Sequence, residues 1–159
     1  MKKIISFFAL IISVIFVWQG INFYSVIKAP LIQEQNQAFT FVKENTNIQV
    51  IDDVDFYHGK EPFYIFKGKN DIEESVIIWV PESLDTYVIK RQDEGISLQE
   101  VFDFTERELN AKQIISIKLG MESSIPLYEI IYKDQQGRYS YYFISFKDGS
   151  YLKHYHLKV

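Results

Sequence analysis

The spacing of hydrophobic and polar positions divides this chain into a membrane-like segment and two repeats of a helix followed by strands. Residues Ile4 to Ile27 carry no charge, and Lys2 and Lys3 stand just before them. At about 1.5 Å per helical residue the run reaches roughly 36 Å, enough to cross a hydrocarbon core of about 30 Å. Trp18, Phe23 and Tyr24 gather at its far end, where an aromatic belt sits at the headgroups. A cleaved signal peptide has a shorter apolar region and a small-x-small cleavage site, and Gly20 to Ala29 offers a poor one. The expectation is an uncleaved anchor over residues 4–27. The basic residues at its start predict a cytoplasmic N-terminus and an extracytoplasmic 29–159.

From Pro30 the period becomes helical: Leu31, Ile32, Gln35, Phe39 and Val42 predict a helix to about Glu44. Short apolar or alternating runs follow at 48–54, 63–67, 76–80 and 87–90, the pattern of an antiparallel meander. Gly68-Lys-Asn70 reads as a turn. Ser97-Leu-Gln-Glu100 is a capping box, with Ile96 and Val101 placed as a hydrophobic staple, and it opens a second helix to about Asn110. Strands are expected again at 114–119, 127–133, 139–146 and 151–157, with turns at Asp134–Gly137 and Lys147–Ser150. Pro62-Phe-Tyr64 matches Pro126-Leu-Tyr128, so the second half repeats the first. The expected fold class is α+β: a transmembrane helix (1–28), then units at 29–94 and 95–159, each a helix packed on a three- or four-stranded antiparallel sheet.

Charge narrows the function. Beyond the three lysines at positions 2, 3 and 28, the chain holds 14 basic against 21 acidic residues, a net charge of −7. Such a surface argues against nucleic acid and against anionic headgroups as partners. With no cysteine there is neither a disulfide framework nor thiolate chemistry.

The sites that tempt a chemical reading fall short. His154 and His156 share a strand face, but a zinc site needs three or four ligands and only His58 remains. Asp52-Asp-Val-Asp55 lacks the glycine and distal glutamate of a calcium loop, since Tyr57 stands where glycine is required. Asp103 and Glu106 sit on a charged outer helix face, and Ser97, Ser140 and Ser145 lack a nucleophile elbow. No metal, cofactor or catalytic residue is expected. Tyr128, Tyr132, Tyr141, Tyr142 and Tyr151 crowd the last strands, and tyrosines on an uncovered sheet face would suit partner binding.

The order of elements carries a resemblance. A short anchor and helix precede Gly59-Lys-Glu-Pro-Phe-Tyr-Ile-Phe-Lys-Gly68, Ile77-Ile-Trp-Val-Pro81, Glu94-Gly-Ile-Ser97, Glu129-Ile-Ile-Tyr132 and a terminal Asp-Gly hairpin. In this the chain resembles the TseB-like family of Gram-positive bacteria over nearly its whole length. The resemblance implies tandem cystatin-like domains related to PepSY modules. It further implies a non-catalytic, membrane-anchored accessory protein that binds a class B penicillin-binding protein, a transpeptidase, and regulates cell-wall elongation. PepSY-like modules also resemble protease propeptides, so restraint of an extracellular peptidase is the alternative.

Overall fold

The computed structural model describes residues 35–157. The expected membrane segment, 4–27, and the first turn of the expected helix from Pro30 lie outside them. Among the described residues no helix is long and apolar enough to cross a membrane. Helix α1 covers residues 35–45. A meander follows: β1 (Ile48–His58), β2 (Pro62–Asn70), β3 (Ser75–Pro81) and β4 (Val88–Arg91), each antiparallel to its neighbour. A short 3-10 turn (Gln92–Glu94) leads to α2 (Leu98–Glu108). The second meander is β5 (Gln113–Glu122), β6 (Ile125–Lys133), β7 (Tyr139–Ser145) and β8 (Tyr151–His156). Both sheets belong to one compact unit, Phe41–Val159.

The capping box forms as expected: Ser97 Oγ accepts from the Glu100 amide, and the Glu100 carboxylate accepts from the Ser97 amide at 2.8 Å. At the other end Asn110, with φ 47°, turns the chain in the left-handed region that stops a helix. Val101 and Thr105 are buried, and Phe104 meets Tyr142 of β7 at 5.8 Å, so α2 covers one face of the second sheet.

β5 runs past its expected end to Glu122, and β1 and β2 differ from expectation for reasons visible in their contacts. β1 runs on to His58 through an acidic stretch, because Lys67 of β2 lies between Asp53 and Asp55, 2.8 Å from each. Burial opposes the Lys67 charge, but the two carboxylates outweigh it and raise its pKa. Its hydrogen bond in turn holds Asp53 below the usual carboxylate range. Gly68 is not a turn residue but sits inside β2, opposite an irregularity in β1. A Cβ there would come 2.0 Å from the Val50 carbonyl, a close approach only glycine permits. The turn comes later, where Asn70 Oδ1 accepts from the amides of Ile72 and Glu74.

One hydrophobic cluster joins the sheets. Phe63, Ile65, Ile77 and Trp79 of the first pack with Leu119, Leu127, Tyr128, Ile130 and Phe143 of the second. Phe146 lies at the junction, edge-on to Trp79 at 5.4 Å and 6.0 Å from Tyr128. Its amide donates to the Pro126 carbonyl, its carbonyl accepts from the Ile96 amide, and Tyr128 donates its hydroxyl to the Ile96 carbonyl. Gly95 leaves room for the ring, since a Cβ would fall 2.4 Å from it.

Gly95→Ala should destabilise the protein by about 1–3 kcal/mol, because a ring held on three sides cannot yield to the added methyl. Phe146→Ala should cost about 3–5 kcal/mol. Urea unfolding midpoints of the full chain check both. A third prediction concerns Asp134, at the start of the β6–β7 turn. Burial there works against ionisation, but hydrogen bonds from Arg138 Nε at 2.7 Å and from the Gln136 and Arg138 amides outweigh it and lower the pKa. A lowered folded-state value means stability that is present above the unfolded pKa, near ~3.9, and lost as pH falls through the folded one. Unfolding of wild type and Asp134→Asn from pH 7 to pH 2 should show the variant weaker at neutral pH and the difference closing in acid.

Candidate functional site

Strand alternation sorts the tyrosines. Tyr128, Tyr132 and Tyr142 share the face that α2 covers. Tyr128 and Tyr132 are buried in the core, and burial raises the pKa of both phenols. Tyr142 is half-buried between Phe104 and Tyr151. These three are packing residues beneath a helix, on a face closed to a partner. Tyr151 is 61% exposed at the edge strand. Of the five tyrosines singled out, Tyr141 alone lies on the opposite face.

That opposite face carries a patch absent from the sequence reading. Tyr141 stacks on Tyr155 of β8 with centroids 4.9 Å apart and planes 9° from parallel. Beside them Lys153 Nζ lies 4.1 Å from the centre of the Phe143 ring, a cation–π contact. The same ammonium reaches both oxygens of Glu122 at 2.6 Å, and Glu122 also accepts from the Tyr57 hydroxyl at 3.2 Å. Burial, then the Glu122 and Glu129 charges, push the Tyr57 phenol far above its ordinary range. Glu129 is half-buried on the same face, and burial raises its pKa against the pull of Lys118 and Lys153. The result is a cluster in which Tyr155 and part of Tyr141 reach the surface while Phe143 and Tyr57 lie buried, and tyrosine is enriched at protein interfaces. Its members come from β1, β5, β6, β7 and β8, so no local motif announces it.

A second feature lies where the β3–β4 connection faces the β5–β6 turn. A cleft of about 360 Å³ opens there, with Phe63, Trp79, Val88 and Met121 among its walls. Trp79 is wholly buried, and its Nε1 is the one buried side-chain nitrogen or oxygen without a hydrogen-bond partner among the described residues. Leaving such a donor unpaired costs about 1–3 kcal/mol.

The arrangement near the C-terminus does not make a nucleophilic triad. Ser140 Oγ stands 2.7 Å from His156 Nδ1, and Asp134 Oδ2 stands 3.9 Å from the same nitrogen. A triad needs the carboxylate and the hydroxyl on opposite nitrogens of the ring. Ser140 is also fully buried. His154 meets the His156 ring at 4.4 Å, and burial lowers its pKa. Among the described residues no three His, Cys, Asp or Glu side chains gather in a group that could hold a metal.

Comparison with known proteins is consistent across three levels. A family model described as a cell wall elongation regulator TseB-like domain matches residues 37–81, from α1 to the end of β3. The probable cell wall elongation regulator TseB of Bacillus subtilis (strain 168) is 26% identical, the match covering 96% of this chain and 98% of that protein. The solved structure of the YpmB protein from Bacillus subtilis superposes with a TM-score of 0.72 at 27% identity, over 77% of this chain and 96% of that one. Domain model, full-length relative and solved structure agree in supporting the TseB-like family.

Proposed function

We propose that this protein regulates cell-wall elongation as a non-catalytic adaptor, anchored by residues 4–27 with 29–159 outside the membrane, that binds a class B penicillin-binding protein. The observation that carries the reading is the end-to-end match to a cell wall elongation regulator. In this reading tandem cystatin-like units occupy 29–94 and 95–159. The partner surface in this reading is the stack of Tyr141 and Tyr155 with Lys153 and Glu122 beside it. Its rings are already stacked, so little side-chain freedom is lost on docking. Two proteins confined to one membrane meet at high effective concentration, and a modest intrinsic affinity suffices.

The chain has no cysteine, so a single introduced one is a unique handle. Full-length protein carrying Tyr139→Cys, at the exposed start of β7, should crosslink in cells to a penicillin-binding protein. Adding Tyr141→Ala and Tyr155→Ala should reduce that product about tenfold, taking the two rings together as an interface anchor worth about 1.4 kcal/mol. Recovery of an extracellular peptidase without any wall synthase would overturn the adaptor reading.

A further inference from the structure

A sheet edge carries unpaired main-chain donors and acceptors, and natural proteins guard it with charge, bulges or a covering element. β1 and β5 approach each other, where the Tyr57 hydroxyl donates to Glu122 and the Tyr57 ring lies against Gly120. Away from that meeting point β1 carries Asp52, Asp53 and Asp55 with two register shifts, and β5 carries Lys118 with one. β4 has only four residues. β8 is different. Its register shift comes early, between the Phe143 and Ile144 pairs, and Lys153 to Leu157 then runs regularly along β7. Its one lysine is turned onto the sheet face, where Glu122 holds it at 2.6 Å. The Leu157 amide donates to the Tyr139 carbonyl at 2.9 Å. Bonded pairs alternate along an antiparallel ladder, so Tyr155 and Lys153 also bond to β7, and the amides and carbonyls of His154 and His156 point away from the sheet. Tyr155 and Leu157 stand 44% and 46% exposed on the face that bears Tyr141.

We infer that β8 is a self-association edge: two copies of this chain pair β8 with β8, antiparallel, about a two-fold axis at Tyr155. The outward main-chain groups restrict the register, because His154 and His156 must lie opposite outward residues of the second copy. An axis at Lys153 sets two ammonium groups against each other. An axis at His154 brings His156 against the irregular start of the strand. An axis at Tyr155 uses the whole regular edge. Tyr155 then meets Tyr155 of the second copy, Lys153 meets Leu157, and His154 meets His156. Tyr141 and Tyr155 stack with centroids 4.9 Å apart, close to the spacing of about 4.8 Å between strands, so the row of rings continues across the axis. His154 and His156 already pack at 4.4 Å within one chain. A second copy suits this edge better than an unrelated strand, because in this register the edge is its own complement, as a two-fold contact requires. Pairing extends the sheet in its own plane and leaves the face bearing Tyr141 open. The inference therefore does not rest on the partner proposed for that face.

The contact is short, so the test traps it covalently, and a chain without cysteine makes each introduced one a reporter of register. In the full-length protein in detergent, Tyr155→Cys should form a disulfide-linked dimer under mild oxidation, since directly opposed non-bonded residues stand about 4.5 Å apart at Cα. Ile72→Cys, 67% exposed in the β2–β3 turn, should stay monomeric. Lys153→Cys and Leu157→Cys chains should each stay monomeric alone and crosslink when mixed, with Tyr155 intact. Adding His154→Pro to both should abolish that product, because proline removes an outward N–H that an edge strand can lose without breaking its own ladder. Equal crosslinking through Ile72→Cys overturns the inference. So does a mixture that gives no mixed dimer, or a mixed dimer that His154→Pro leaves unchanged.

Discussion

The contact on which the rest of this structure depends is the seating of Phe146 at the junction of the two sheets. Its ring touches Trp79 of the first sheet and Tyr128 of the second, and its backbone is bonded to Pro126 and to Ile96, just before α2. An aromatic pair is worth only about 0.5–1.5 kcal/mol beyond the area it buries. Its importance here is geometric. Two four-stranded meanders of this size bury limited surface when separate, and a common cluster gives both one core. Gly95 belongs to the same constraint, because the chain can pass the ring only where there is no side chain.

Polar groups follow from that packing. The shared core takes in one face of the first sheet, the helix-covered face of the second and also Leu127 and Phe143 of its other face, which leaves charged residues a few partly covered places. Lys67 answers Asp53 and Asp55, and Lys153 answers Glu122. Exposed pairs of this kind contribute about 0–1 kcal/mol each. The Lys153–Glu122 pair also holds the ammonium over the Phe143 ring. A surface already ordered loses less entropy on binding.

Two surfaces with different chemistry result. The face bearing Tyr141 and Tyr155 is broad, aromatic and charge-balanced through the Lys153–Glu122 pair. The cleft near Trp79 is bordered by the acidic Glu61 and Asp85.

Element order was legible because its causes are local. The capping box needs four consecutive residues, the turn before β8 seats Gly149 in the left-handed region that glycine favours, and alternation assigns side chains to faces. Hence eight strands and the second helix were readable from the chain alone, along with the face shared by Tyr128 and Tyr132. Gly68 was misread because a glycine in a turn and a glycine under a neighbouring carbonyl look alike in sequence. The acidic stretch at Asp52–Asp55 appeared to end a strand because its neutralising lysine comes from the next one. Which tyrosines face outward, the union of Lys153 with Glu122 and Tyr57, and the isolation of the Trp79 N–H depend on where the sheets meet. Those are contacts between residues far apart in the chain, made by packing that no local pattern encodes, so only the tertiary structure decided them.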